Sequence, residues 1–477
     1  MLFTAHSFGQ TNFAKAELGD KRRTKRLVKL VDQMTTRPGG SLPQKLRHPA
    51  DLQSFYRLMA CDQVTHETIL APHRAATIEQ FQQIDEPVLI LHDSTELDYT
   101  RRESLDNLGQ IGSGKRRGYI THNSLAVRSD TGEPIGLVNQ ILHRRVKVSK
   151  NETFAQRQKR TSRESLLWSK GVAKLPGDQQ LVDVCDRGAD NFEFLELENT
   201  SGRRFVIRST HNRRVFVGPD FNEPERLHDH LKSLEAMGSW DLEVTSKTQL
   251  RRGRGKQNKK RVKRKQRWAK MAVTAAPVQI RPSKCKGAHL HDPLPMWAIR
   301  VWEVDPPEGQ ERLDWVLLTN EPITSFAAAY RVVGWYEKRW IIEEYHKGMK
   351  SGCKIEGLQF THEDRLQPSI AVLSILTLTL LQLRCASRRP NAKTRKATKV
   401  IGENYVAVLS HWRHKRFRTD WSVHDFYMAL ARLGGHLNRK SDHPPGWQVL
   451  WEGWKELLPM VIGYDAAKAS YKRCDKT

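Results

Sequence analysis

Two apolar runs, VLILH at residues 88–92 and LVDVC at 181–185, are each followed at once by an aspartate, Asp93 and Asp186. A short run of this kind is what a strand buried on both faces looks like. An acid directly behind it falls at the carboxyl end of the strand, where open α/β sheets place their ligand sites. Between and around these runs, residues 119–128 and 135–142 alternate about a Ser-Asp-Thr-Gly turn and predict a hairpin. Residues 162–174 read as helix and 205–208 as a further strand. The order strand, hairpin, helix, strand, helix, strand predicts an α/β chain. Past Arg208 four more strands are expected, at 240–245, 268–280, 296–304 and 315–319. Helical patterning fills residues 1–70, with a Pro/Gly break at 37–44, and returns near Ser325.

Charge adds a partner. The 477 residues carry 80 Lys and Arg against 53 Asp and Glu, a formal +27. Sixteen of the cations lie between Val244 and His291, a stretch with no acid at all. The predicted place for this run is a long hairpin tip between two of the later strands. A second cluster follows Asp20, a candidate N-cap: Lys21, Arg22, Arg23, Lys25, Arg26 and Lys29 interleave with Leu27, Leu30, Val31 and Met34 at helical spacing. A large positive excess of this kind meets a polyanion, here nucleic acid. The longest apolar stretch, at 370–383, is shorter than the ~18 to 20 residues of a membrane span and contains hydroxyl groups, so a buried helix is expected. Six scattered cysteines without a CxxC pair, and no basic-then-apolar leader, predict a soluble intracellular protein without membrane association.

The stretch WYEKRWIIEEYHKGMK, residues 335–350, predicts one helix ending near Gly352. At ~100° per residue, Tyr336, Arg339, Glu343, Lys347 and Lys350 fall within an arc of about 80°. Trp335, Ile341, Ile342, Tyr345 and Met349 occupy the other side. A surface helix laced with i,i+4 ion pairs would show the same stripe. Its company favours a site: two strand-end aspartates and a carboxylate bracketed by cations. Three carboxylates in one pocket repel unless a divalent cation neutralises them, and all-oxygen ligation suits magnesium or manganese. Trp447, Trp451 and Trp454 read as core, His92 and His346 as packing histidines, and Cys285, His289 and His291 as a loop without a fourth metal ligand.

At these residues the chain resembles the DDE transposases of bacterial insertion sequences, closest to the insertion sequence four branch that includes the transposon-five transposase. The matching pieces are HDST at 92–95, VCDRGAD at 184–190, WVLLTNEP at 315–322, and Tyr336, Arg339, Glu343 and Lys350 with two, three and six residues between them. LGDKRRTKRLV near the start and ARLGG and LWEGW near the end match as well, so the resemblance runs over essentially the full length.

The resemblance implies a ribonuclease H-like core with a β-rich insertion and helical flanks. The domains expected are a helical DNA-binding domain at 1–70, a catalytic domain at 71–375 with its insertion at about 212–322, and a helical dimerisation domain at 376–477. It implies Asp93, Asp186 and Glu343 as the catalytic and metal-binding triad, with two magnesium ions, or manganese in their place. Tyr336, Arg339, Lys347, Lys350 and Arg208 would hold DNA phosphates, Trp315 (or Trp340) would receive a flipped base, and Arg22, Arg23 and Arg26 would grip DNA from the N-terminal helix. The implied chemistry is cut-and-paste transposition by a homodimer on double-stranded DNA, both terminal inverted repeats and target, in the bacterial cytoplasm. Two alternatives share these features: a DNA-binding regulator without turnover, and a ribonuclease H-like nuclease without strand transfer.

Overall fold

The computed structural model describes residues 5–177, 180–244, 247–251, 260–264, 266–282, 284–285, 288–289, 291–439, 442 and 444–474. It is a mixed α/β chain with helices at both ends, divided into two compact units, Met1–Leu175 with Trp340–Thr477 and Pro176–Arg339. The helices are α1 (Ala5–Phe13), α2 (Lys21–Thr36), α3 (Leu42–Lys45), α4 (Pro49–Met59), α5 (His66–Phe81), α6 (Phe154–Lys159) and α7 (Leu167–Val172). Then come α8 (Phe192–Thr200), α9 (Leu227–Ser233) and α10 (Phe326–Glu337) of the second unit, and α11 (Trp340–Lys347), α12 (Glu363–Arg388), α13 (Glu403–His414), α14 (Val423–Leu433) and α15 (Trp447–Cys474) of the first.

In the first unit the N-terminal helices form as their sequence dictates. Asp20 caps α2, its carboxylate accepting the Arg22 N–H at 2.7 Å. Leu27, Leu30, Val31 and Met34 are fully buried, while Lys21, Arg22, Lys25, Arg26 and Lys29 stay exposed. The buried stripe packs on α4 and α12. By length and composition α12 could cross a membrane, but 82% of its apolar window is buried inside the protein. Trp447, Trp451 and Trp454 of α15 are buried core residues, as expected. Lys45 is also buried. Its Nζ donates to the carbonyls of Gly40 at 2.5 Å and Cys353 at 3.0 Å, just past a π turn (Gly348–Gly352) that continues α11, and burial draws its pKa down to about 8.

The sheet of this unit is built from β1 (Val88–Asp98), β2 (Gly109–Gln110), β3 (Arg117–Arg128) and β4 (Pro134–His143). β3 lies antiparallel between β1 and β4, the hairpin the alternation predicts, and β2 pairs with its start. One expectation is corrected. β1 does not stop at His92 but runs six residues further, so Asp93 sits mid-strand, opposite Asn123. The predicted helix at 162–174 is a 3-10 turn, Glu164–Leu166, leading into α7.

His73 on α5 ties three elements together: its Nδ1–H donates to Asn12 Oδ1 on α1 at 2.6 Å, and its Nε2 accepts the Leu137 N–H on β4 at 2.9 Å. Both bonds require the neutral ring. Burial lowers its pKa to about 3, against ~6.5 unfolded, so below pH ~6.5 the unfolded chain binds a proton the folded one does not. This term therefore weakens the fold as pH falls, by about 2 kcal/mol between pH 7 and 5. Urea unfolding at both pH values should show that much less pH dependence in His73→Gln than in the parent; equal dependence would exclude the assignment. Burial depresses His66 and His122 as well, which is why the comparison is made within one pair of proteins.

The second unit holds β5 (Leu181–Cys185), β6 (Arg204–Arg208), β7 (Arg214–Val217), β8 (Glu223–Arg226), β9 (Gly238–Val244), β10 (Lys247–Arg251), β11 (Lys260–Arg264), β12 (Arg267–Ile280), β13 (Lys284–Cys285), β14 (Ala288–His289), β15 (Leu294–Glu303) and β16 (Asp314–Thr319). β5 and β6 are parallel and joined through α8. The ladder continues antiparallel through β16, β15 and β12, and β12 pairs with β9 over one part of its length and β7 over another. The four late strands fall where the patterning puts them. The basic run makes an antiparallel hairpin of β10 and β11, with Arg251 opposite Lys260; its tip, 252–259, lies outside the described residues.

β5 is held by a buried ionic cluster. Arg203 Nε donates to Asp183 Oδ2 at 2.7 Å, and Glu198 on α8 lies 3.9 Å from the same nitrogen. Asp183 and Glu198 are fully buried. Burial, reinforced by the Asp183 charge, pushes the Glu198 carboxyl well above the usual carboxylate range.

Candidate active site

The residues of the 335–350 stretch do not lie on one uninterrupted helix. α10 ends at Glu337, Lys338 and Arg339 form a turn, α11 starts at Trp340, and the π turn follows Lys347. The break coincides with the boundary between the two units, so the common stripe expected for Tyr336, Arg339, Glu343, Lys347 and Lys350 holds only within each segment. The end at Gly352 is as expected.

In the first unit, α11 buries Ile341, Ile342, Tyr345 and His346 and packs against β1. Two contacts fix it to α12: Glu344 is ion-paired with Arg384, and the Tyr345 hydroxyl donates to the Ser374 carbonyl at 2.9 Å. Of the two adjacent glutamates, Glu344 is thus taken up by packing. Glu343 is half-buried, and Lys347, one turn on, is exposed.

A third contact reaches the sheet. Asn123 Nδ2 donates to His346 Nε2 at 3.0 Å, and Asn123 Oδ1 accepts from Gln140 Nε2 at 2.7 Å. Gln140 Oε1 in turn accepts from His66 Nε2 at 3.0 Å. Directly opposed residues of an antiparallel pair share a face. Asp93, opposite Asn123, therefore projects to the side of the sheet that carries α11 and Glu343. His92 faces the other way, its Nδ1 2.9 Å from Ser124 Oγ. Both histidines pack, as expected. Asp93 Oδ1 accepts the Ser94 N–H at 2.7 Å.

Lys350 is half-buried near Glu356, Glu96 and Asp98; burial lowers its pKa, and the Glu356 and Glu96 charges oppose that shift. Trp340 is 56% exposed at the start of α11. On α2, Arg22 is exposed and paired with its cap Asp20, and Arg26 stands 3.9 Å from Asp51. Arg23 departs from the expected outer face: its Nη1 donates to the Leu18 carbonyl at 3.0 Å and to Gln63 Oε1 at 2.7 Å, so it braces the loop before the helix.

In the second unit, Asp186 stands at the carboxyl end of β5 as predicted. It caps a 3-10 turn, Oδ1 accepting the Gly188 N–H at 2.9 Å. Asp190 is buried and committed to structure: Oδ2 accepts the Thr210 and His211 N–H groups at 2.6 and 3.1 Å, and Oδ1 meets Arg213. Arg208 ends β6 and shares the Tyr336 hydroxyl with Arg339. Burial raises the Tyr336 pKa, and the two guanidinium groups pull it back. Arg208 Nε is buried and has no hydrogen-bond partner among the described residues. Trp315 is half-buried on β16. His291 is bonded to Glu196 at 2.7 Å, while the Cys285 and His289 side chains lie outside the described residues.

As donors, Asp93, Asp186 and Glu343 fit a hard divalent cation in kind. Among the described residues, no three His, Cys, Asp or Glu side chains come together as a ligand set. Two features escape sequence reading. Trp268, 71% exposed on β12, carries no periodic signal of exposure. A cluster of cations between residues 115 and 163 is too dispersed to register as a run.

Residues 5–64, spanning α1 to α4, match the family model described as transposase DNA-binding. The chain thus carries an N-terminal transposase DNA-binding domain, which supports a transposase with DNA as its partner.

Proposed function

We propose that the chain is a cut-and-paste DDE transposase of the insertion sequence four type, with a ribonuclease H-like core. The observation that carries this reading is that Asp93 on β1 projects to the side of the sheet on which α11, the helix of Glu343, is packed, in the same unit as a transposase DNA-binding domain. Asp186 is assigned as the third carboxylate. Asp93, Asp186 and Glu343 would hold magnesium, which supplies charge neutralisation at the transferred phosphate and an activated oxygen nucleophile. Arg208 and Arg339 bind the phosphate oxygens, and Tyr336, buried between the two guanidinium groups, orients them. Lys347 and Lys350 hold the strand next to the scissile bond. Trp315 or the exposed Trp340 accepts a base displaced when the cut strand turns back on its complement.

In this sequence of events water first nicks one strand at each transposon end. The freed 3′-hydroxyl attacks the opposite strand to close a hairpin, the hairpin is reopened, and the 3′-end joins target DNA. A homodimer brings the two ends together, in the bacterial cytoplasm. The match at residues 5–64 concerns DNA binding alone and is met equally by one competitor, a regulator that binds ends and never cuts. Incubation of the protein with magnesium and a supercoiled plasmid carrying the element's ends separates them. Nicked, excised and joined products are expected; binding with no cleavage would establish the regulator, and cut ends with no joining a nuclease.

A further inference from the structure

The first unit contains a cleft of about 1120 Å³ between the start of β3, the end of β4 and the segment that includes α6. Eight Lys and Arg side chains line it against one carboxylate, Glu164. Some of this charge is compensated. Arg145 is paired with Glu164, Arg160 with Glu152 at 2.7 Å, and Arg117 donates to the Leu105 carbonyl at 3.2 Å. Lys115, Lys147 and Arg157 are exposed, and no acid pairs with them among the described residues. Concentrating like charge in one concavity is unfavourable unless an anion enters it.

The lining chemistry narrows the occupant. Among the described residues no Phe, Tyr or Trp side chain lines the cleft, so they offer none of the large stacking platforms that single-stranded nucleic acid uses. It offers guanidinium and ammonium groups on several separate segments, which suits a row of phosphates rather than base edges. The cleft also adjoins the candidate site. Arg116, one of its lining residues, pairs with Asp98 at 3.0 Å and stands 3.8 Å from Glu96, and these two β1 acids act on Lys350.

We propose that this cleft is a further DNA-binding surface, holding duplex DNA by its phosphates without reading sequence. It is separate from the basic face of α2 and from the β10–β11 hairpin. The test uses the full-length protein with Lys115→Ala, Lys147→Ala and Arg157→Ala combined, and a fluorescent duplex of arbitrary sequence in EDTA, titrated across salt concentrations. Each lost phosphate contact removes ~0.9 from the slope of log affinity against log salt, so the triple variant should lose about 2 to 3 and bind about tenfold more weakly or worse. Charge-conserving replacements, Lys115→Arg, Lys147→Arg and Arg157→Lys, should restore both quantities, which separates charge from folding. An unchanged slope would overturn the proposal. So would loss of binding to anionic phospholipid vesicles with DNA binding intact. Neither magnesium nor the element's ends enter the measurement, so its outcome is independent of whether the chain cuts DNA.

Discussion

Glu343→Gln is expected to lower cleavage of end-containing DNA by at least about 10²-fold to 10³-fold, the scale on which loss of one group stabilising transition-state charge is felt, with DNA binding intact. The replacement keeps the size of the side chain and removes only its charge, so α11 retains its packing through Ile341, Ile342 and Tyr345. The neighbouring residue is the built-in control. Glu344 is paired with Arg384, so Glu344→Gln should reduce stability and leave the chemistry of correctly folded molecules nearly unchanged. Cleavage and thermal unfolding measured on both proteins decide the matter: a Glu343→Gln protein that still cuts in magnesium would remove Glu343 from the mechanism, and with it the triad.

The second large effect is expected in the other unit. Arg203→Met leaves Asp183 buried without its guanidinium and Glu198 beside it, at a cost of about 3 to 5 kcal/mol, because a buried charge stripped of its partner cannot recover its hydration. β5 and α8 carry these acids, and Asp186 follows β5 directly, so hydrogen exchange should accelerate at residues 181–189 well before global unfolding. Adding Asp183→Asn to Arg203→Met removes the stranded charge and should recover part of the loss. An Arg203→Met protein as stable as its parent in urea would show that the cluster contributes nothing net.

The strand before Asp186 is legible in the sequence because a parallel strand, covered on both faces, is a nearly continuous apolar run, here interrupted by Asp183 alone. β1 is legible only in its first half. Beyond His92 it continues through Ser94, Thr95 and Glu96, which break the apolar run, because β3 supplies an edge for them and pairs them with His122, Thr121 and Ile120. The break at Lys338 and Arg339 has no glycine or proline to announce it. Trp335 and Tyr336 are buried in one unit and Ile341 and Ile342 in the other, and that division of packing interrupts a periodicity that reads as unbroken. The α2 cations were visible because they are consecutive and the cap is local. Arg23 looked like its neighbours, yet a bond to Gln63, forty residues away, gives it a different task. The cations of the cleft are brought together only by the meeting of β3, β4 and α6.

Lys45 bears on how a cut would be measured out along DNA. Its ammonium joins the loop after α2 to the end of the π turn behind α11, while Asn12 is tied through His73 to β4 and α2 packs on α12. The DNA-binding helices and the carboxylates of β1 and α11 therefore belong to one compact piece. On the proposed function that piece acts as a ruler: the number of base pairs between the recognised sequence and the cut phosphate is a dimension of the fold, and lengthening the DNA between them by a base pair would misplace the bond rather than stretch the protein to reach it.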